Sequence, residues 1–397
     1  MRQLWVLMAT AFVDMLGFAI VFPLLPFYTV RLGGEGMAWV VGPLVASYSV
    51  AQLASSTLWG RLSDRWGRRP VLLTGLVMSC TAFLVFGLAD SVWLLLASRV
   101  VQGIGGGTTG VIQAYVTESV EPSQRARGLG WISAATSAGV MIGPAIGSLA
   151  FSRLGPAGPG IVAALVCLLN VAFAWRYLPE SKRGARVAPK RSIRAALWHV
   201  LHHPGEPAAQ LVWIYAVGMG AFAAMSATVG LWMRHRFGLD EETIGLVFVY
   251  IGALAVVMRA LVLGWMVDRL GETRVMRLGA LGFVLGLALF PLPSTILGAA
   301  LVIPLIPIGQ ALLFPSVTAL TSHRADPGEL GQVMGVQHAF GGMARVIGPL
   351  WATPVFQLLA PQDPFWIAAG IMALTCVLAF RVPVGEPQRR AAPAAAD

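Results

Sequence analysis

Charge is scarce in this 397-residue sequence: Asp, Glu, Lys and Arg together make up 12% of it, against about 25% in soluble globular domains. A soluble fold of this size needs more charge than that to cover its surface. With 57% hydrophobic residues and a mean hydropathy of +0.74, a soluble enzyme is excluded. Cysteine is nearly missing as well. Cys80, Cys167 and Cys376 lie far apart, each inside an apolar run, so neither a disulfide framework nor a thiolate metal site is encoded. The 45 glycines follow no three-residue period, which excludes a collagen-like chain, and plentiful aromatic residues exclude a disordered one. Acids are the scarcer charge, 18 against 28 Lys and Arg, for a formal +10. In a soluble protein that surplus suggests a nucleic-acid partner, so the position of the cations decides their meaning.

What the sequence has instead is long apolar runs. A membrane-spanning helix needs about 20 mainly apolar residues, and twelve runs qualify, near 4–30, 38–59, 70–88, 92–116, 128–151, 160–177, 208–233, 243–263, 275–293, 295–320, 332–359 and 364–380. They are continuous rather than alternating, and lipid leaves an open sheet edge without partners, so the runs are read as helices. The first carries Asp14 and lacks a small-x-small cleavage site, which reads as an uncleaved span rather than a secretory signal. With a cytoplasmic N-terminus, 21 Lys or Arg fall on inner segments, four on outer ones (Arg31, Arg153, Arg234, Arg236) and three within spans (Arg99, Arg259, Arg345). The positive-inside rule then places both termini on the cytoplasmic side of an inner cell membrane. Nucleic-acid binding is excluded, because the cations are spread over alternate loops.

The longest polar interval, 179–207, divides the spans six to six. Within it Ile193, Ala196, Leu197, Val200 and Leu201 recur at helical spacing beside Arg191, Arg194 and Trp198, the pattern of a helix lying on the inner membrane surface. The tail 383–397 is expected to be unstructured. The halves also repeat: Gly60 and Asp64 recur as Gly264 and Asp268 after 204 residues, while Gly130 recurs as Gly335 and Gly143-Pro144 as Gly348-Pro349 after 205. A nearly constant offset predicts two pseudo-symmetric six-helix bundles, 1–178 and 208–382, related by an axis along the membrane normal, with a binding cavity between them near mid-depth.

The loop after the second run reads Gly60-Arg61-Leu62-Ser63-Asp64-Arg65-Trp66-Gly67-Arg68-Arg69. Topology alone needs cations, not an Asp with two glycines at fixed offsets. The stretch resembles the signature Gly-x-x-x-Asp-Arg-x-Gly-Arg-Arg of the major facilitator superfamily, and Gly264-Trp265-Met266-Val267-Asp268-Arg269-Leu270-Gly271 stands where a weaker second copy belongs. The resemblance implies an all-α integral membrane protein of twelve transmembrane helices with the major facilitator fold. It further implies a cytoplasmic gate of Gly60, Asp64, Arg65, Gly67, Arg68, Glu118, Asp268 and Arg269. In it Asp64 approaches the N-terminus of span eleven, where the helix dipole favours a carboxylate, and Arg68 pairs with Glu118.

In span four, Arg99, Gln102, Gly103, Gly106, Gly110 and Gln113 fall at the spacing of one helical face. An intramembrane arginine needs a partner or a wet cavity, and Arg99-x-x-Gln102-Gly103 resembles a superfamily motif associated with proton coupling. Gly105 to Gly110 formally matches GxGxxG, but no strand precedes it and no acid follows about 20 residues on, so the dinucleotide reading fails. Span five holds Gly139-x-x-x-Gly143-Pro144-x-x-Gly147-Ser148, similar to the motif that marks antiporting exporters in the superfamily, with Ser148 where a final glycine is usual. Its small residues permit close helix contact and its proline frees a backbone hydrogen bond.

Asp14 is the single acid deep in a span, ~15 Å from the inner end of span one, while Arg99 lies ~10 Å from the outer end of span four, depths compatible with a pair. The segment Phe12-Val13-Asp14-Met15-Leu16-Gly17-Phe18, followed by Pro23-Leu24-Leu25-Pro26, resembles span one of tetracycline and multidrug exporters. By that resemblance Asp14 and Arg99 handle the coupled proton. The matched second-half position, Met219, cannot ionise. Gln102, Gln113, Gln337, Arg345, Phe222 and Phe340 are candidates to line the substrate cavity, and Arg259, near the inner end of span eight, can snorkel.

These features lead to a proton-coupled exporter of amphipathic drugs or related small molecules. The alternatives are an exporter of an organic anion or metabolite that uses the intramembrane arginines, and a transporter-like sensor without flux. The expected partners are the substrate, protons and the bilayer, with a monomer as the working state. No cofactor, metal site, catalytic triad or nucleic-acid contact is expected.

Overall fold

The computed structural model of the chain describes residues 2–120, 124–181, 193–324 and 330–383. Every one of the twelve apolar runs is helical, and the departures from a simple rod have local causes. Span one runs Arg2–Val21, passes through a 3₁₀ turn at Phe22–Leu24 and continues as Leu25–Gly33. The break follows Pro23 and Pro26, which remove backbone donors. Span two, Val41–Trp66, ends at Gly67, whose φ of 106° favours glycine, and span three, Arg68–Gly87, starts at once. Span four is two pieces, Val92–Gly106 and Thr109–Ser119. Spans five, six and seven are Arg125–Leu154, Gly158–Tyr177 and Pro207–Phe237. Span eight joins Ile244–Val257 to Leu263–Leu270 through a π-helical segment, Met258–Val262. Span nine is Glu272–Leu289, span ten Ile296–Val302 plus Leu305–Arg324, span eleven Leu330–Leu358 and span twelve Asp363–Arg381.

Among the described residues nine helices are long and apolar enough to cross a membrane. The other three runs fall short for visible reasons. Span four is broken, span nine opens with Glu272, Arg274 and Arg277, and span eleven is diluted by glycine, proline and Arg345. The connector contains the helix expected there, Ile193–His202. The remainder of the connector, 182–192, and the tail from 384 onward lie outside the described residues.

Contacts group the helices into two compact units that do not follow the halves of the sequence. The first comprises Met1–Ala188, Phe222–Ala253 and Gly342–Pro364; the second comprises Pro189–Ala221, Leu254–Gly341 and Phe365–Asp397. In the first unit spans one and five pack along a glycine face: side-chain carbons at Gly139, Gly143 and Gly147 would collide with the Phe12 carbonyl, Ala19 and the Ile20 carbonyl. Leu7, Val71, Leu72, Tyr115 and Val116 form an apolar core in this unit. Parts of spans seven, eight and eleven join it through polar pins. The Gly245 N–H donates to the Ser148 hydroxyl at 3.0 Å, and that hydroxyl donates to the Glu241 carbonyl at 2.8 Å. The Gly42 N–H likewise donates to Thr353 at 3.1 Å.

In the second unit spans nine and ten meet where Gly279 faces the Leu313 nitrogen. Phe290 stacks on Phe365 at 4.9 Å. Arg277 donates to the carbonyls of Ala379, Phe380 and Val382 at 2.8–3.2 Å, satisfying groups that the end of span twelve leaves without helical partners.

Candidate functional site

The gate turn is built from both sides of Gly67. Asp64 Oδ1 lies 3.0 Å from Arg68 Nη1 one helical turn on, and Arg68 Nη2 reaches Glu118 Oε1 at 2.7 Å, with Arg68 Nε at 3.2 Å from the same oxygen. Arg68 also donates to the Ser63 hydroxyl. Burial pushes the Glu118 carboxyl up, but hydrogen bonds from Arg68 and Ser181 and the Arg68 charge outweigh it and hold its pKa below the ordinary 4.5. Glu118 lies beyond the apolar run that ends at 116, so it is a surface clasp between the starts and ends of helices. The expected approach of Asp64 to the start of span eleven involves a segment adjoining 325–329, which lies outside the described residues.

Sequence reasoning missed the residues that complete this clasp. Glu180 accepts from the backbone N–H groups of Arg68 at 2.7 Å and Arg69 at 3.3 Å, so a carboxylate caps the start of span three, where the dipole favours it. Ser181 donates to Glu118 at 2.8 Å. Tyr115 donates to the Pro179 carbonyl and Arg69 to that of Trp175. In the second copy Asp268 and Arg269 are exposed, and the Arg269 guanidinium covers the Trp265 ring at 4.5 Å. Arg65 is exposed, and a side-chain carbon on Gly60 would meet nothing within 4 Å.

Deeper in the first unit, spans one, two and four bring polar groups together. The break in span four sits at Gly107-Thr108, and span two satisfies the carbonyls it frees. Trp59 Nε1 donates to Ile104 at 2.6 Å, Ser55 to Ile104 at 3.2 Å and Gln52 Nε2 to Gly106 at 3.2 Å. The glycines of the formal GxGxxG match therefore serve a helix break. Gln52 Nε2 also donates to the Tyr48 hydroxyl at 3.1 Å. Asp14, Arg99 and Arg345 all lie within electrostatic reach of that hydroxyl. Tyr48 and Gln52 carry no signature that would have singled them out.

Two expectations about these residues are corrected. Asp14 and Arg99 form no ion pair: Arg99 is 1% exposed, its guanidinium lies 4.9 Å from the Phe86 ring centroid, and its Nε and Nη2 have no hydrogen-bond partner. Depth along a helix leaves its rotation open, and span four turns Arg99 toward span three. Nor does one face persist through span four. Arg99, Gln102, Gly103 and Gly106 are buried while Gly110 and Gln113, past the break, are exposed. Of the other cavity candidates, Phe222 and Arg345 are half-buried in the first unit. In the second unit Gln337 donates to Thr318 at 2.9 Å, and Phe340 is buried edge-on against Trp213 at 5.3 Å. Arg259 sits inside the π-helical segment of span eight.

Apolar helices carrying charged turns and buried polar groups define a multi-pass membrane protein. The profile of the Major Facilitator Superfamily matches residues 7–349 and again 211–397, and the chain belongs to that family. It is 28% identical over 396 residues to the class C tetracycline resistance protein of Escherichia coli, covering 96% of each. It is 27% identical over 377 residues to multidrug resistance protein 2 of Bacillus subtilis (strain 168), covering 92% of each. Among solved structures it resembles the human organic anion transporter MFSD10, with a TM-score of 0.71 at 23% identity over 95% of this chain and 99% of that one. The nucleoside transporter NupG aligns with a TM-score of 0.77 at 15% identity, over 96% of this chain and 99% of that one. The chain is thus a major facilitator transporter related to tetracycline and multidrug resistance proteins.

Proposed function

We propose that the protein is a proton-coupled exporter that moves amphipathic drugs or related small molecules out across the cytoplasmic membrane by alternating access, with both termini inside. The observation that carries this reading is Asp14, an acid deep in span one that lies within electrostatic reach of the Tyr48 hydroxyl and forms no ion pair with Arg99. A carboxylate so placed can exchange its proton for a substrate contact. The names of the relatives, tetracycline and multidrug resistance proteins, support export. Alternation is supported by Gly60, Gly130, Gly264 and Gly335, glycines matched by the repeat whose missing side chains face open space, as expected of surfaces that close only in another state.

The test is uphill uptake of a drug panel into everted vesicles under an imposed pH difference. Asp14→Asn should abolish proton-driven transport while the protein still reaches the membrane. Unchanged uphill transport in that variant would sink the proton assignment. Export of an organic anion is the second reading, favoured by Arg345 standing within reach of Tyr48 and by the name of the human structural relative, an organic anion transporter. Under it, Arg345→Ala loses anions selectively and spares neutral drugs.

A further inference from the structure

We propose that Cys80 of span three and Cys167 of span six form a two-sulfur site for a soft divalent metal ion of the mercuric type, which would bridge the two helices midway along their length. Far apart in the sequence, the two cysteines match no metal-ligand spacing there; the fold brings them to one interface. The inference is independent of the transport reading.

Contacts at three levels fix the register of these antiparallel helices. At one end a side-chain carbon on Gly160 would lie 2.3 Å from the Gly87 Cα, so the two backbones touch. At the other end Arg69 donates to the Trp175 carbonyl. Between them the bonds cross over: the Cys80 thiol donates to the Ala164 carbonyl and the Cys167 thiol to that of Leu76, each at 3.3 Å. Cys80 stands seven residues before Gly87 and Cys167 seven after Gly160. Seven residues are about two turns, so both cysteines return to the line along which the glycines touch. Leu76 lies one turn before Cys80 on its own helix, and Ala164 one turn before Cys167. Each sulfur therefore rests against the turn of the opposite helix that leads into the other cysteine. The depths agree: Cys80 is ~18 Å from the start of span three at Arg68, and Cys167 is ~15 Å from the end of span six at Tyr177.

The surroundings select the ion. Two thiols that give up their protons carry two negative charges; a divalent ion cancels both, whereas a monovalent one would leave a charge among the spans. Thiolate sulfur is a soft donor that takes soft metals. Two sulfurs satisfy an ion that favours linear two-coordination, while a structural zinc asks for four ligands. With mercuric chloride, two S–H and two Hg–Cl bonds break, two Hg–S bonds form, and two protons leave with two chlorides; nothing is oxidised or reduced. Mercuric chloride is neutral and can enter through lipid, and Cys80 is only half-buried. The exchange leaves no carbonyl bare, because those of Leu76 and Ala164 keep their helical N–H partners when the thiol bonds are lost.

Titration of the purified full-length protein in lipid nanodiscs with mercuric chloride tests this. One mercury per chain should bind and remove two of the three free thiols, with peptide mapping placing the protected pair at Cys80 and Cys167, a readout that needs no variant. The bound ion should survive an excess of a monothiol, and the thermal midpoint should rise, because a bridge between distant residues restricts the unfolded chain. Cys80→Ser and Cys167→Ser should each hold mercury roughly a hundredfold more weakly than the wild type, since a second sulfur on the same scaffold acts at high effective concentration. Cys376→Ser, in span twelve, should bind as the wild type does. One thiol lost per mercury, mercury linking two chains, protection at Cys376 instead, release to the monothiol, or equal protection by zinc would each overturn the site.

Discussion

The turn between spans two and three and the turn between spans eight and nine occupy matched places in the repeat, yet each is clasped with the opposite polarity. Arg68 and Glu118 in the first correspond, at offsets of 204 and 205, to Glu272 and His323 in the second. Arg68 bonds Glu118 at 2.7 Å, and His323 Nδ1 lies 3.1 Å from Glu272. Both turns pivot on a left-handed glycine, Gly67 at φ 106° and Gly271 at φ 79°. In both, an arginine of the following span reaches a carbonyl at matched positions, Trp175 and Ala379. The fold therefore requires a polar clasp between helix ends and leaves open which helix supplies the cation. What differs is chemistry: a guanidinium keeps its charge at any working pH, whereas an imidazole changes charge between about pH 5 and 8.

The largest effect should come from reversing the first clasp. Arg68→Glu sets two carboxylates against each other and removes bonds worth about 1.5–3 kcal/mol each; export should fall at least tenfold at every pH. Adding Glu118→His to Arg68→Glu copies the chemistry of the second turn into the first. Export should then return in part, and only toward acid pH, as read by efflux assays normalised to protein in the membrane. Recovery that ignores pH would show that the polarity of the clasp is immaterial.

Much of the first clasp was legible. Arg68 and the glycines stand at signature spacings, Glu118 follows from the family resemblance, and the helices follow from apolar runs alone. The partners Glu180 and Ser181 were not, because they reach the turn only after the end of span six folds back on the start of span three. Periodicity carries no such information. Tyr48 and Gln52 were missed for a related reason, since their importance comes from a break in a neighbouring helix. The same break at Gly107-Thr108 defeated the single-face reading of Gln113.

The strengths of the two clasps should separate next. The Glu118 carboxyl is depressed in the folded protein, so its contribution to stability is complete above the ordinary glutamate value of 4.5 and is lost only as pH falls below it. The gap in thermal midpoint between wild type and Glu118→Gln should therefore stay constant from about pH 5 to 8. His323→Ala removes a contact whose imidazole is largely exposed, so its gap should be smaller than that of Glu118→Gln. Equal gaps for the two variants would remove the proposed difference between the clasps.

A smaller effect isolates the cap on the first turn. Glu180→Gln keeps the shape but loses the charge that meets the N–H groups of Arg68 and Arg69. Stability should fall by about 1 kcal/mol, measurable as a lowered thermal midpoint, with the slope of export against pH unchanged.

The smallest expected change in stability has the opposite sign. Gly60 lies inside the helix Val41–Trp66, and a side-chain carbon there would meet nothing within 4 Å. Alanine is favoured over glycine by about 1 kcal/mol in a helix interior, so Gly60→Ala should raise the thermal midpoint. Gly264, the matched residue, is equally open but sits at the start of the short helix Leu263–Leu270, directly after the π-helical segment, and Gly264→Ala should gain less. A glycine that weakens its helix and touches nothing needs its bare face in a different conformation. Gly60→Ala should accordingly slow export while the protein becomes more stable. A variant both more stable and fully active would mean that no working state brings another backbone against Gly60, and the clasp at Arg68 alone would then have to hold that turn.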